Sequence, residues 1–124
     1  MEFIWVAIGG AAGAASRYGV SQWAGNRFGW SFPWGTLTVN LVGSLIIGLL
    51  MAVLAARQAD PAYRLLLVTG FLGGFTTFSS FSFEALALLE ARRWESALLY
   101  VGGSLLFGLV ACGIGLGLGR IISR

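Results

Sequence analysis

Histidine and lysine are absent from this 124-residue chain, and cysteine occurs only once, as Cys112. Without histidine, the chain cannot build a nucleophile and base pair around an imidazole ring. A single cysteine can form neither an intrachain disulfide nor a cluster of thiolate ligands around a metal. These absences argue against an enzyme that relies on nucleophilic or metal chemistry.

Charged residues are also scarce, since they make up 10% of the chain while 57% of it is hydrophobic. Soluble domains carry about 25% charged residues. The composition therefore predicts an integral membrane protein. Its apolar runs are long and continuous, unlike the short alternating segments of a membrane β-barrel, so we predict an all-α fold in a single membrane domain.

Four apolar segments are each long enough to cross a bilayer core of about 30 Å as helices. Their predicted limits are residues 3–23, 34–55, 63–91 and 96–118. The first segment could be confused with a signal peptide, but Glu2 stands where a basic region would be required, so we interpret it as a retained span. Gly9 and Gly13 give this span a small-residue face for close helix packing.

The third segment contains an unusual run at residues 70–84, GFLGGFTTFSSFSFE, rich in glycine, hydroxyl and phenyl groups. Because each glycine weakens a helix by about 1 kcal/mol relative to alanine, we predict that this helix is broken near its middle, between Gly73 and Thr77. In a membrane, an irregular backbone is tolerated only inside protein or beside a polar cavity. Flexible packing against a neighbouring helix is the alternative interpretation.

Beyond the predicted break, the third segment carries a candidate pore lining. Thr77, Ser80 and Glu84 follow one another at helical spacing as a polar track, and Phe78 and Phe81 share a neighbouring face. The edge of a phenyl ring is electropositive because of its quadrupole, so two such edges beside hydroxyl and amide donors could hold an anion without a basic residue. Simple packing of the rings is the alternative.

The second and fourth segments contribute fewer polar candidates. Asn40 shares a helix face with Thr36 and Ser44, and its amide either makes an interhelical hydrogen bond or points its N–H groups into a pore. Tyr100 and Ser104 are the pore candidates of the fourth segment. Its small residues spaced four apart indicate helix contacts, and these pairs are Ser104 and Gly108, Gly113 and Gly117, and Gly115 and Gly119.

The arginines give almost no signal for one orientation in the membrane. With four spans, Arg57, Arg64, Arg120 and Arg124 fall on one side, and Arg17, Arg27, Arg92 and Arg93 fall on or near the other. A chain without positive-inside bias can insert both ways, and an antiparallel dual-topology homodimer with two-fold symmetry then follows naturally. Two broken third segments at the centre of such a dimer could direct freed carbonyls at a monovalent cation.

Arg17 itself lies deep enough in the first segment to have two interpretations. Its long side chain either snorkels to the interface or draws anions into a vestibule.

Three stretches resemble the Fluc (CrcB) family of fluoride channels: GTLTVNLVG at 35–43, GFLGGFTTFSSFS at 70–82, and Gly9-Gly10 together with Arg17-Tyr18. The resemblance covers the whole chain. It implies a dual-topology antiparallel homodimer with two separate pores, which exports fluoride passively across the inner (cytoplasmic) membrane and holds a structural sodium ion at the dimer centre. The expected partners are a second copy of the chain, fluoride and the lipid bilayer, with no nucleic acid and no enzymatic activity.

The resemblance also implies roles for individual residues. Asn40, Phe78 and Phe81 match the residues that face fluoride, while Gly73 and Thr76 match positions whose backbone carbonyls hold sodium. The polar pore lining is matched by Thr77, Ser80, Glu84, Tyr100 and Ser104.

The chain departs from the family at one position, and two other function classes are alternatives to a channel. Gly108 stands where some relatives have a serine, so the hydroxyl lining of the fourth segment is expected to be shorter here. A small dual-topology multidrug antiporter would need an acidic residue inside the first span, where only Glu2 lies at the edge. A non-transporting helix-packing scaffold would have no need of Asn40 or Glu84.

Overall fold

All regular structure in the computed structural model, which describes residues 1–124, is helical. The helices are α1 (Glu2–Phe28), α2 (Trp34–Ala56), α3 (the continuous stretches Pro61–Tyr63, Arg64–Leu72 and Gly73–Phe75), α4 (Phe78–Glu90) and α5 (Trp94–Ile122). The all-α prediction is therefore confirmed.

Three parts of the chain are long and apolar enough to cross a membrane: α2, the pair α3 and α4 (Pro61–Glu90), and α5. The protein is therefore a multi-pass membrane protein, as its composition predicted. Helix α1 is also long, with 27 residues, but it is less apolar because small residues, Arg17 and Gln22 interrupt it.

Helix α1 extends beyond its predicted limit at residue 23, and the first loop shrinks to residues 29–33. The extension is stabilised by packing at its end, because Ala24 and Gly25 are buried. A Cβ atom placed on Gly25 would lie 2.2 Å from the ring of Trp30 in the loop. The tryptophan thus folds back over the end of the helix, and Gly29, at φ 92°, lets the chain turn there.

Helices α1 and α3 touch backbone to backbone through glycines on both sides. A Cβ atom on Gly9 would lie 2.1 Å from the carbonyl oxygen of Leu66, and one on Gly13 would lie 2.0 Å from that of Phe71. On α3, a Cβ atom on Gly74 would lie 2.6 Å from the carbonyl oxygen of Gly10. The predicted role of Gly9 and Gly13 in close packing is confirmed.

Helices α2 and α5 also pack closely through glycines on both sides. A Cβ atom on Gly48 would lie 2.2 Å from the carbonyl oxygen of Cys112, and one on Gly115 would lie 2.0 Å from that of Leu45. Of the small-residue faces predicted on the fourth segment, the one with Gly115 packs against α2. The Gly113 and Gly117 face does not, because nothing lies within 4 Å of a Cβ atom at either position.

Helix α3 has wide π-helical turns between Arg64 and Leu72. Such turns are rare and occur frequently at functional sites. This stretch leads directly into the glycine-rich run, and its buried residues are Gly70 and Leu72. No pattern in the sequence predicted these turns.

Two small hydrophobic cores lie on either side of the break between α3 and α4. One contains Val39, Leu72 and Phe75 and joins α2 to α3. The other joins α4 to α5 and is built around Tyr100, with Ala85, Leu88 and Ala97 as its other buried members. The break is therefore held from both sides by packed side chains.

Candidate functional site

The helix break lies at Thr76 and Thr77, at the end of the range that the sequence predicted. Thr76 (φ −87°, ψ 158°) and Thr77 (φ −150°, ψ 123°) are both extended, whereas Gly73 to Phe75 remain helical. The glycines therefore do not cause the break directly; Gly74 serves the close contact with α1. Helix α4 then restarts with Thr77 as its N-cap, whose hydroxyl accepts from the Ser80 N–H at 3.1 Å.

Asn40 on α2 holds the break through two hydrogen bonds to the backbone of one residue. Its Nδ2 donates to the Thr77 carbonyl oxygen at 3.0 Å, and the Thr77 N–H donates to its Oδ1 at 2.8 Å. The interhelical interpretation of this amide is thus correct. An amide NH₂ group has two donors, so one N–H of Asn40 remains for another acceptor.

Thr76 fits against α2 because the facing residue is a glycine. A Cβ atom on Gly43 would lie 2.2 Å from Thr76 Cγ2. The Thr76 hydroxyl turns back and donates to the Leu72 carbonyl oxygen at 2.9 Å. The hydroxyl proton of Thr76 is therefore used inside the chain, and its backbone carbonyl remains available for a ligand.

Arg17 makes a contact that neither of its two interpretations included. Its Nε donates to the Gly74 carbonyl oxygen at 3.0 Å. In a continuous helix, that oxygen would accept from the N–H four residues later, that of Phe78. Arg17 thus satisfies a backbone oxygen next to the break, and its role in a vestibule stays a prediction.

The break also removes the hydrogen bonds that the carbonyl oxygens of Gly73 and Thr76, the two residues matched to a sodium site, would accept in a helix. In a continuous helix, the Gly73 carbonyl oxygen would accept from the Thr77 N–H, and the Thr76 carbonyl oxygen would accept from the Ser80 N–H. The first N–H donates to Asn40 Oδ1 and the second to the Thr77 hydroxyl. Carbonyl oxygens released in this way are suitable ligands for a hard monovalent cation.

The aromatic candidates are arranged in a short chain of ring contacts. Phe78 and Phe81 have ring centroids 5.8 Å apart, and Phe81 lies 5.1 Å from Tyr100 on α5. Phe78 projects from the surface and is 78% exposed, whereas Tyr100 is fully buried. The hydroxyls of Tyr100 and of Ser104, one turn further along α5, are both buried without a hydrogen-bond partner.

The carboxyl group of Glu84 has one hydrogen-bond partner, Thr36, which was not among the residues predicted for the site. Thr36 Oγ1 donates to Glu84 Oε1 at 2.6 Å, and Thr36 is buried on α2. Thr36 lies one helical turn before Asn40 and on the same face, and this spacing could have identified Thr36 as a site residue. The contact joins α2 to α4 beyond the break.

Two cavities are lined by several of the polar candidates. The larger, of about 610 Å³, is lined by Ser80 and Glu84 together with Thr36, Trp30 and Arg93. The smaller, of about 320 Å³, is lined by Asn40, Thr76, Thr77, Phe78 and Ser44. Phe81, Tyr100 and Ser104 line neither cavity.

Comparison with known proteins identifies the family. Residues 4–116 match the family described as "CrcB-like protein, Camphor Resistance (CrcB)". The chain is 50% identical over 117 residues to the fluoride-specific ion channel FluC of Chloroflexus aurantiacus, covering 93% of this chain and 92% of the relative.

Two further relatives carry the same name. The protein of Acidobacterium capsulatum is 43% identical over 123 residues, covering 98% of both chains, and that of Agrobacterium fabrum is 50% identical over 116 residues, covering 93% of both. The resemblance noted from the three sequence stretches is confirmed. The chain therefore belongs to the CrcB-like family.

Proposed function

We propose that this protein is a fluoride-selective ion channel that lets fluoride leave the cell passively and so lowers its internal concentration. The observation that carries this proposal is the full-length identity of 43 to 50% with relatives named as fluoride-specific ion channels. The antiporter and the scaffold are not favoured by these names. A passive channel performs no covalent chemistry, in keeping with a protein that is not an enzyme.

The candidate site has the chemistry that fluoride requires. Fluoride is small and strongly hydrated, so a pore must replace its water with donors and still release it. The remaining N–H of Asn40, the hydroxyl of Ser80 and the unpartnered hydroxyls of Tyr100 and Ser104 are uncharged donors. They could substitute for water without trapping the ion, as a fixed arginine would.

The electropositive edges of Phe78 and Phe81 would add weak attraction beside these donors. Phe78 borders the same cavity as Asn40, and Phe81 lies next to Phe78. We place the fluoride path along these residues and along Thr77, Ser80, Glu84, Tyr100 and Ser104. Arg17 remains a candidate for the vestibule.

A growth assay tests the function in cells. A bacterial strain that lacks its own fluoride exporter should regain growth in fluoride medium when it produces this protein. The Phe81→Ile variant should not restore growth, although it should reach the membrane in equal amount. No rescue by the unmodified protein, when membrane fractions contain it, would contradict the proposal.

We further propose that α1, α2, α3 with α4, and α5 form four membrane crossings and that the protein works as an antiparallel dual-topology homodimer in the inner membrane. The balanced arginines support both orientations. A second copy would also cover exposed apolar groups such as Phe78 and Phe83, which are 78% and 74% exposed.

Cysteine labelling tests the dual topology. In a Cys112→Ser background, Gln58→Cys puts a single thiol in the loop between α2 and α3, where Gln58 is exposed. An impermeant maleimide added to intact cells should label about half of the protein, because each orientation would be equally populated. Complete labelling, or none until the membrane is opened, would indicate a single orientation.

A structural sodium ion at the dimer centre is the last part of this proposal. The carbonyl groups of Gly73 and Thr76 from both subunits would hold it. This assignment is supported by the Thr77 and Ser80 N–H groups, which donate to side chains and not to these two carbonyls. Gly73 is exposed on the surface of the single chain, where a second copy could approach it. When bound, the ion would supply positive charge that holds the two breaks together.

A further inference from the structure

The loop at residues 29–33, between α1 and α2, is held by Arg93, which lies 62 residues away from it in the sequence. The guanidinium group of Arg93 donates to the backbone carbonyl of Ser31, and its other nitrogen donates to Ser96 Oγ at 3.2 Å. The loop is therefore tied to the turn between α4 and α5. This contact fixes the position of the next residue, Phe32.

Phe32 packs on a residue of the candidate pore. Its ring stands edge-to-face on Tyr100, with centroids 5.6 Å apart and planes at 84°. Its ring centroid also lies 4.7 Å from that of Trp34. Phe32 also borders the larger cavity and belongs to the hydrophobic core around Tyr100.

Tyr100 depends on such packing for its position. The residue is fully buried, and its hydroxyl, which lies near Thr36 and Glu84, makes no hydrogen bond of normal geometry. Its aromatic contacts are Phe32 on one side and Phe81, at 5.1 Å, on the other. A change in the ring of Phe32 would therefore be passed through Tyr100 to Phe81.

We propose that Phe32 is a positioning residue for the pore: the loop, held by Arg93, presses Phe32 on Tyr100 and thereby sets the orientation of the Tyr100 hydroxyl and of the Phe81 ring. This inference rests on the proposed fluoride channel function. It assigns a role in conduction to a loop residue outside the predicted pore lining.

Phe28 provides a matched control in the same region. Its ring lies 5.7 Å from Trp23 and 5.9 Å from Trp34, so it is also part of an aromatic cluster at this end of the molecule. It makes no ring contact with Tyr100. Because Phe28 reaches Phe32 only through Trp34, replacing it should change the loop end of this cluster while Tyr100 keeps its direct ring contact with Phe32.

The test compares Phe32→Leu, Phe32→Tyr and Phe28→Leu with the unmodified protein in fluoride efflux from liposomes. Leucine keeps much of the bulk of Phe32 but removes the ring edge, so Phe32→Leu should lower the initial rate about two- to thirteenfold, the range expected when the free energy of one aromatic pair is lost. Phe32→Tyr, which keeps the ring, should have the rate of the unmodified protein, and Phe28→Leu should also leave the rate unchanged. All variants should elute from a size-exclusion column at the same volume as the unmodified protein.

The outcomes separate this inference from the proposed function. Efflux by the unmodified protein with an equal rate in Phe32→Leu would overturn the positioning role alone. An equal loss of rate in Phe28→Leu or in Phe32→Tyr would also overturn it, because the loop would then act through general stability. An absence of fluoride efflux in the unmodified protein would instead contradict the channel function.

Discussion

Asn40 and Thr77 are joined by two hydrogen bonds, of 3.0 Å from the side-chain amide to the Thr77 carbonyl oxygen and of 2.8 Å from the Thr77 N–H to the amide oxygen. The geometry fixes the orientation of the amide, because a backbone N–H must meet its oxygen and a carbonyl must meet its nitrogen. Asn40 therefore connects α2 to the break and frees the Gly73 carbonyl. One residue links the proposed pore to the proposed cation site.

Replacing Asn40 by alanine should suppress fluoride flux. The change removes two hydrogen bonds from a half-buried site and leaves the Thr77 backbone without partners, at an expected cost of about 1 to 3 kcal/mol. It also removes the N–H that could face the ion. The measurement is the initial fluoride efflux rate from liposomes, together with size-exclusion chromatography to show that assembly is intact.

Thr38→Ala is the control for that experiment. Thr38 also lies on α2, but its hydroxyl donates to the backbone of its own helix, at Trp34. Its removal should leave the rate unchanged. A normal rate in Asn40→Ala would contradict the role assigned to this amide.

Thr77→Ala should weaken the response to sodium. Without the hydroxyl cap, the Ser80 N–H becomes free to donate to the Thr76 carbonyl and so to occupy a proposed sodium ligand. Loss of an N-cap costs about 1 kcal/mol, which corresponds to about a fivefold higher sodium concentration at the midpoint. The midpoint can be measured from thermal unfolding over a series in which sodium is replaced by N-methylglucamine.

Thr77→Ser retains the capping hydroxyl and should keep the midpoint of the unmodified protein. If sodium does not raise the unfolding temperature of the unmodified protein at all, the proposed sodium site is wrong. If it does so equally in Thr77→Ala, the cap does not control that site.

Gly43→Ala should disrupt the break by overpacking, and a second substitution should repair it. The new methyl group would lie 2.2 Å from Thr76 Cγ2, and overpacking of this kind costs about 1 to 3 kcal/mol. In Gly43→Ala with Thr76→Ser, the colliding methyl is gone while the hydroxyl remains. Fluoride efflux should fall in the single variant and recover in the double variant; equal loss in both would show that this contact is not the cause.

Gly13→Ala should impair folding, whereas Gly19→Ala on the same helix should not. A methyl group at Gly13 would lie 2.0 Å from the Phe71 carbonyl oxygen, in a backbone contact that cannot adjust, while Gly19 has nothing within 4 Å. Alanine at Gly19 should even favour the helix by up to about 1 kcal/mol. Yield and unfolding temperature in detergent measure both effects, and a normal Gly13→Ala protein would contradict the packing described for α1 and α3.

The sequence predicted those features that follow from composition and helical spacing. Long apolar runs predicted the all-α membrane fold, and the spacing of Gly9 and Gly13 predicted a close helix contact. The break could be placed to within a few residues, although its cause was misjudged. Threonine side chains and Asn40 hold the extended backbone, while Gly74, inside the helix, packs against α1.

Features that depend on contacts between distant parts of the chain could not be predicted. The bond from Arg17 to Gly74 spans 57 residues and that from Thr36 to Glu84 spans 48, and no local pattern reports such pairs. Phe32 lies in a loop, where periodicity carries no information about partners. The π-helical turns of α3 likewise have no local sequence signal.

The most direct test of this account is fluoride efflux from potassium-loaded liposomes that contain the purified protein, followed with a fluoride electrode in the presence of valinomycin. Chloride efflux is measured in parallel on the same preparation. A selective channel predicts rapid release of fluoride without release of chloride. Fluoride release no faster than from empty liposomes, from protein shown to be folded and inserted, would contradict it.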